Sequence, residues 1–358
     1  MSKADQHSQN NFDILRLVLA SLVVISHCVV LSAEPSIWWM RIVGGPEAMG
    51  GPGVVAVQGF FAISGCLVIA SYERSRTLKS YFEKRARRIL PGYWAALVFV
   101  LLIGAVFSSL PLAAFAASRV TWKFILGNLT FANFIQPSLP GLFVHNPDNP
   151  AANGALWTIK IEVMFYLTVP IVAWCCRKLG AWQVLLAIFV GSLLFNFEMA
   201  RIGQQKLSLQ LPGQLGFFAV GMFAHYYEGW FRRHGTAMWL TAIASGAGFL
   251  ALKWYFLQAI SVPLLVMCVA FLTKNFRGPA KYGDFSFGVY ILHYPVVQLL
   301  VSLGFFHASP YGAVACVSAI VAVLAVGSWR FVESPFLKRG LPRVPTPDPE
   351  PAAQTAVS

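Results

Sequence analysis

Apolar stretches of bilayer-crossing length recur along almost the whole of this 358-residue chain. A spanning helix needs about 20 mostly apolar residues. On that template the spans fall at roughly 13–32, 54–72, 89–109, 156–175, 182–198, 212–228, 236–254, 256–273, 284–305 and 311–331. Lipid offers no partner for backbone N–H and C=O groups, so helices, which satisfy their own, are the expected element. Hydrophobic residues make up 57% of the chain and charged ones 11%, against about 25% charged in soluble domains. The expected fold class is therefore an all-α integral membrane protein of about ten transmembrane helices. The fifth and sixth stretches are the weakest, and the sixth holds Pro212, Gln214 and several glycines. Residues 121–136 are apolar but short, which suits a re-entrant or interfacial segment.

The run Ile14–Leu31 imitates a signal peptide, but Asp13, Arg16 and His27 and the further spans make it a retained first helix. The expected organisation is a cytosolic tail over 1–12, a membrane domain over 13–337 and a disordered cytosolic tail over 338–358. That last tail, rich in proline, includes PRVPTPDPEPAAQTAVS.

The formal net charge is +13. Its distribution argues for topology and against nucleic acid. Arg74, Arg76, Lys79, Lys84, Arg85, Arg87 and Arg88 follow span two, and Arg177 and Lys178 follow span four. Arg232 and Arg233, then Lys274, Arg277 and Lys281, then Lys338, Arg339 and Arg343 fill the later alternate loops. The intervening loops carry only scattered cations such as Arg41, Arg119, Arg201 and Lys206. Cytosolic loops are the cation-rich ones, so both termini are expected in the cytosol. The six cysteines have no zinc-ligand spacing and lie in or beside apolar runs, so neither a disulfide framework nor a metal site is expected.

Ionisable residues inside a span are costly and mark function or a specific structural partner. Arg16 and His27 lie on one helix face, about 20° apart and separated by ~16 Å of rise. A neutral imidazole at that depth can take a proton from an alcohol, or can be a packed histidine bonded to a carbonyl. Arg16 can equally be a topology anchor. Glu162, in GALWTIKIEVMFY, falls at nearly the depth of His27. It can orient an imidazole, bind a sugar hydroxyl, or belong to a buried ion pair. In Lys84-Arg85-Ala86-Arg87-Arg88, just before Pro91, the run marks a cytosolic flank. If the segment is helical, Arg85 and Arg88 also share a face and can clamp phosphates. His293 sits at mid-span, catalytic or structural. Arg330 and Glu333 in WRFVESPF suit an interfacial ion pair. Ser64-Gly65 suits close helix packing. Trp157, Tyr166 and Trp94 suit interface anchors or sugar-stacking platforms. The Gly-rich phosphate loop, the zincin motif and the serine-hydrolase elbow are missing, which leaves pump and metalloprotease readings without support.

In order along the chain, NFDILRLVLASLVVISH, GFFAISGCLVIASY with SYFEKRARRILPGYW, LWTIKIEVMFYLTVP, FSFGVYILHYPV and WRFVESPF resemble the blocks of the acyltransferase-3 family of bacterial membrane O-acyltransferases. The resemblance implies a multi-pass protein of the bacterial inner membrane, surrounded by membrane lipid and holding no permanent cofactor. It implies an acyl-CoA co-substrate, acetyl-CoA first, on the cytosolic side. The acceptor would be a hydroxyl of a saccharide or glycolipid at the outer side. His27 would be the catalytic histidine, with Glu162 catalytic or close to the acceptor. Arg16, Arg85 and Arg88 would bind the donor, and Trp157, Tyr166 and His293 would bind or support the acceptor. Homo-oligomers or polysaccharide-assembly partners stay open. Where many members carry a second acidic or amide residue, this chain has Val163, preceded by Lys160. The rival expectations are an exporter of a sugar or lipid intermediate, which needs no Arg85/Arg88 pair, and a non-catalytic scaffold.

Overall fold

A computed structural model of the chain describes residues 11–34, 51–148, 150–276 and 283–338. The expected terminal tails at 1–10 and from 339 onward, and the loop cations Arg41, Arg277 and Lys281, lie outside the described residues.

Ten long helices carry the fold: α1 (Phe12–Ser32), α2 (Pro52–Glu73), α3 (Leu78–Phe107), α4 (Trp157–Leu179), α5 (Ala181–Arg201), α6 (Leu211–Tyr226), α7 (Gly235–Leu252), α8 (Tyr255–Leu272), α9 (Ser286–Ser302) and α10 (Pro310–Ser328). Among the described residues, nine helical stretches are long and apolar enough to cross a membrane. The tenth, α9, has 17 residues, roughly 25 Å of rise and the lower limit for a span. The weak sixth stretch reaches spanning length only because the turn Gln205–Ser208 precedes α6. Residues 119–129 form an 11-residue helix, about half the length needed to cross.

Helices α2 and α9 are the most enclosed. α2 packs on α1, α4, α6 and α8, and α9 packs on α1, α3 and α10. The outward faces stay apolar, with Val106 73%, Leu167 58% and Leu240 64% exposed. Water would not tolerate so extensive an apolar surface, whereas acyl chains would. The chain is an integral membrane protein.

The expected role of Gly65 in close packing is met at the α2–α6 seam. A Cβ on Gly65 would overlap the carbonyl oxygen of Phe218, and one on Gly221 would overlap that of Ala62. The two backbones touch, as small residues allow in membranes. Gln58 of α2 and Gln258 of α8, both fully buried, add a 2.8 Å hydrogen bond across the core.

Prolines inside helices leave a carbonyl four residues earlier without its N–H. Pro170 in α4 frees the Tyr166 carbonyl, which accepts from the Tyr81 hydroxyl at 3.0 Å. Pro295 in α9 frees the Ile291 carbonyl, which accepts from Asn153 Nδ2 at 2.9 Å. Pro91 does not end its helix. α3 runs unbroken for 30 residues, about 45 Å, so the basic run lies on the helix itself and not ahead of it.

The charged ends of the helices gather at one end of the bundle. Arg177 Cζ lies 6.0 Å from the Tyr72 ring, His225 contacts Glu73 at 2.8 Å, and Arg232 donates to the Phe271 carbonyl. Asn11 bonds Thr273 there as well. At the other end Asn146 bonds Gln298, and Lys160 bonds Gln210 at 2.7 Å.

The expected Arg330–Glu333 pair is replaced. Residues Trp329–Glu333 form a π-turn that points the two side chains apart. Arg330 is exposed, whereas Glu333 is buried and accepts from Ser328 Oγ at 2.8 Å. The wider turn carries Glu333 inward toward α3, its Cγ within van der Waals reach of a Cβ on Gly92.

Candidate active site

A cavity opens inside the bundle between α1, α2, α3, α4 and α9. Its cationic side is Arg16, Arg85 and Arg88, and its other polar groups are Ser64, Thr158, Glu162, Tyr166, Ser286 and Tyr290. Val57, Phe60, Phe61, Val68 and Ile159 supply the apolar wall. Because α3 is helical through the basic run, Arg85 and Arg88 project to one face and both enter the cavity. Arg87 faces away and pairs with Glu83 at 2.7 Å.

The three guanidiniums differ in what they already hold. Asp284, two residues before α9, accepts from Arg88 Nη2 at 2.5 Å and from Arg16 Nη1 at 3.3 Å. Its other oxygen accepts from the Ser286 hydroxyl at 2.5 Å. One carboxylate thus ties α1, α3 and α9 together. Arg85 gives Nη2 to Ser71 at 3.1 Å, and its Nε is buried without a partner. A buried donor left unmade is costly, so Arg85 is the cation equipped to take an anionic ligand.

Glu162 belongs to this cavity. Its Oε1 accepts from the Tyr166 hydroxyl at 2.6 Å and from the Ser64 hydroxyl at 3.2 Å. The Arg85 guanidinium lies 5.7 Å from the Tyr166 ring centroid, within cation–π range. Ser64 is therefore more than a packing residue.

His27 stands outside the cavity lining, and its side-chain hydrogen-bond partner is His293. His27 Nδ1 and His293 Nε2 are 2.8 Å apart, with ring centroids separated by 4.9 Å. His293 Nδ1 lies 2.6 Å from the Tyr290 carbonyl. A carbonyl only accepts, so Nδ1 of His293 carries the hydrogen. In the neutral ring Nε2 then holds the lone pair, and His27 Nδ1 must be the donor. The chain of bonds leaves the lone pair of His27 on Nε2. His27 is partly exposed, whereas His293 is wholly buried. The expected orienting contact from Glu162 to His27 is not made: Glu162 bonds Ser64, whereas Ser26, next to His27, lies against Gly53, eleven residues nearer the start of α2.

Tyr290 joins the two regions. Its ring lines the cavity, its carbonyl holds His293, and its hydroxyl lies 2.7 Å from Thr158 Oγ1. Trp157, one residue earlier, packs against the core and is not part of the cavity lining.

A family model for the acyltransferase domain of the acyltransferase-3 family matches residues 9–329. The chain belongs to the acyltransferase-3 family. This acyltransferase is 27% identical to an O-acetyl transferase of Shigella phage Sf6, over 94% of this chain and 99% of the phage protein. It is likewise 27% identical to nodulation protein 10 of Rhizobium leguminosarum bv. viciae, over 94% of this chain and 96% of that one. With the peptidoglycan O-acetyltransferase OatA of Listeria monocytogenes it shares 24% identity, over 80% of this chain and 52% of OatA. No solved structure matches the acyltransferase. The exporter and scaffold expectations give way to an enzyme.

Within this acyltransferase, the residues singled out in the sequence form two groups. Arg16, Arg85, Arg88, Glu162 and Tyr166 meet at the cavity, and His27 meets His293. Sequence reasoning missed Asp284, Tyr290 and Thr158. Asp284 stands at the edge of an apolar run, where a charge is not costly and so gives no signal. Nothing in the local sequence marks the other two.

Proposed function

We propose that the chain is a membrane O-acetyltransferase of the bacterial inner membrane, with both termini cytosolic. It takes an acetyl group from cytosolic acetyl-CoA and passes it to a hydroxyl of a saccharide or glycolipid at the outer side. The observation that carries this reading is the cavity with three guanidiniums on its wall inside a membrane domain. An array of arginines suits the phosphates of a nucleotide-bearing thioester, since guanidinium forks match phosphate oxygens bidentately. The named activities of the phage and Listeria relatives support O-acetyl transfer, and the Listeria relative's name supports a saccharide acceptor.

In this mechanism Arg85 engages a donor phosphate through the Nε that has no other partner. Arg16 and Arg88, held by Asp284, keep the cationic wall in place. His27 acts through Nε2. That lone pair removes the proton of the acceptor hydroxyl as its oxygen bonds to the thioester carbonyl carbon. The C–S bond breaks, and the leaving thiolate takes the proton from the His27 imidazolium. The same nitrogen would serve if the acyl group were first carried on the ring. Glu162 lines the cavity beside the arginines and fixes Tyr166 under Arg85.

The test is acetyl transfer from radiolabelled acetyl-CoA by the purified chain, with His27→Ala and Arg85→Ala beside it. Activity lost in the His27 variant while the protein stays monodisperse supports the assignment, and donor binding lost in the Arg85 variant places that arginine at the thioester. Equal activity in all three proteins would sink the mechanism.

A further inference from the structure

The cavity that holds the arginines does not reach His27 openly. Phe60 and Tyr290 both line it, with Val57 one turn further along α2, and the two rings meet edge to face at 5.6 Å between centroids. Behind Tyr290 comes His293, at 6.0 Å between ring centroids, and behind His293 comes His27. The order cavity, Tyr290, His293, His27 places an aromatic pair between the cationic wall and the reacting nitrogen.

The two rings are held differently. Thr158 Oγ1 lies 3.0 Å from the Ala155 carbonyl, which can only accept, so the single hydroxyl hydrogen of Thr158 is spent there. Tyr290 must then donate its own hydrogen to Thr158 Oγ1 at 2.7 Å. With its hydroxyl fixed to α4 and its carbonyl holding His293, Tyr290 is a rigid post. Phe60 is only partly buried and has no polar anchor. Val57, Phe61 and Ile159 are further apolar residues of the same cavity lining.

We propose that Phe60 and Tyr290 form a constriction that sets the size of the acyl group this enzyme transfers, admitting acetyl and excluding longer chains. The proposal rests on the reading of the arginine-lined cavity as the thioester site. Two carbons pass beside a ring with little displacement. A four- or six-carbon chain must push Phe60 aside, because the hydrogen-bond chain from Tyr290 through Thr158 to Ala155 prevents the phenol from swinging. Each methylene discriminated by an apolar site is worth roughly 10- to 200-fold in kcat/KM.

The experiment compares wild type, Phe60→Ala and Thr158→Val in native-membrane vesicles, with acetyl-CoA, butyryl-CoA and hexanoyl-CoA. It reads CoA thiol release and, on purified protein, thioester binding. Thr158→Val removes the anchor of Tyr290 with little change in volume, so the test survives if the Phe60 variant folds poorly. Wild type is expected to prefer acetyl over butyryl, and each variant to raise the butyryl-to-acetyl ratio about 10-fold or more. Turnover with that ratio unchanged in both variants overturns the constriction and leaves the donor site standing. Failure of wild type to bind any of the three thioesters overturns the donor site, and the constriction with it.

Discussion

His27 Nδ1 and His293 Nε2 lie 2.8 Å apart, joining α1 to α9 across 266 residues of sequence. Because His293 is itself oriented by the Tyr290 carbonyl, it decides which nitrogen of His27 is basic. Replacement of His293 by alanine is expected to lower kcat about 10- to 100-fold, a large part of what acid–base catalysis supplies. The KM for acetyl-CoA should stay within about twofold, because the thioester cavity is lined by other residues. His293→Gln, whose amide oxygen can accept from His27, should recover part of the loss. Steady-state kinetics on the three proteins checks this, and a fall confined to KM would remove His293 from the positioning role.

Arg85 and Arg88 should separate experimentally. Arg85→Ala is expected to raise the acetyl-CoA KM about 10-fold or more, the worth of one or two charge-assisted hydrogen bonds, with thermal stability retained. Arg85→Lys should rescue little, because an ammonium does not reproduce the fork. Arg88→Ala should cost stability as well, since it breaks the pair with Asp284. Donor titrations paired with thermal unfolding in detergent read both effects.

Asp284→Asn leaves Arg16 and Arg88 facing each other without the carboxylate between them. Loss of one partner from a buried charge cluster typically costs about 3–5 kcal/mol. The expected result is a lower unfolding temperature than for Glu83→Gln, which breaks only the exposed pair with Arg87 and should leave stability nearly unchanged. Equal shifts would show that the Asp284 cluster is as weakly coupled as a surface pair.

Tyr81→Phe removes the hydroxyl that satisfies the Tyr166 carbonyl beneath Pro170. An orphaned buried acceptor costs about 1–3 kcal/mol. Pro170→Ala restores the helical N–H, so the double variant should be more stable than Tyr81→Phe alone. A double-mutant cycle measures the coupling, and strict additivity would refute the capping role of Tyr81.

Much of this was written into the sequence. The spans were legible because a lipid-crossing backbone leaves few choices, and Arg16, His27, Arg85, Arg88 and Glu162 stood out because charge in an apolar run is costly. Partnership was not legible. The expected common depth of Glu162 and His27 does not hold: Glu162 sits with Ser64 and Tyr166, whereas Ser26, beside His27, lies against Gly53 at the start of α2, and His27 answers to His293. Asp284 stands just ahead of its helix, where an acid has no cost to announce it, and only the folded bundle sets it against two arginines. The π-turn that carries Glu333 inward goes with the packing of residues 329–338 on α3, which the run WRFVE does not announce.

At Gly65 and Gly221 two helices meet main chain to main chain, and that leaves natural selection nothing to adjust there. Every substitution at the seam adds atoms where a fixed oxygen already sits, so variation is channelled elsewhere in the molecule. A lineage in search of a new acceptor has to change residues away from that contact. The wall that carries Ser64 and Phe60 would then be inherited almost unaltered from one substrate to the next.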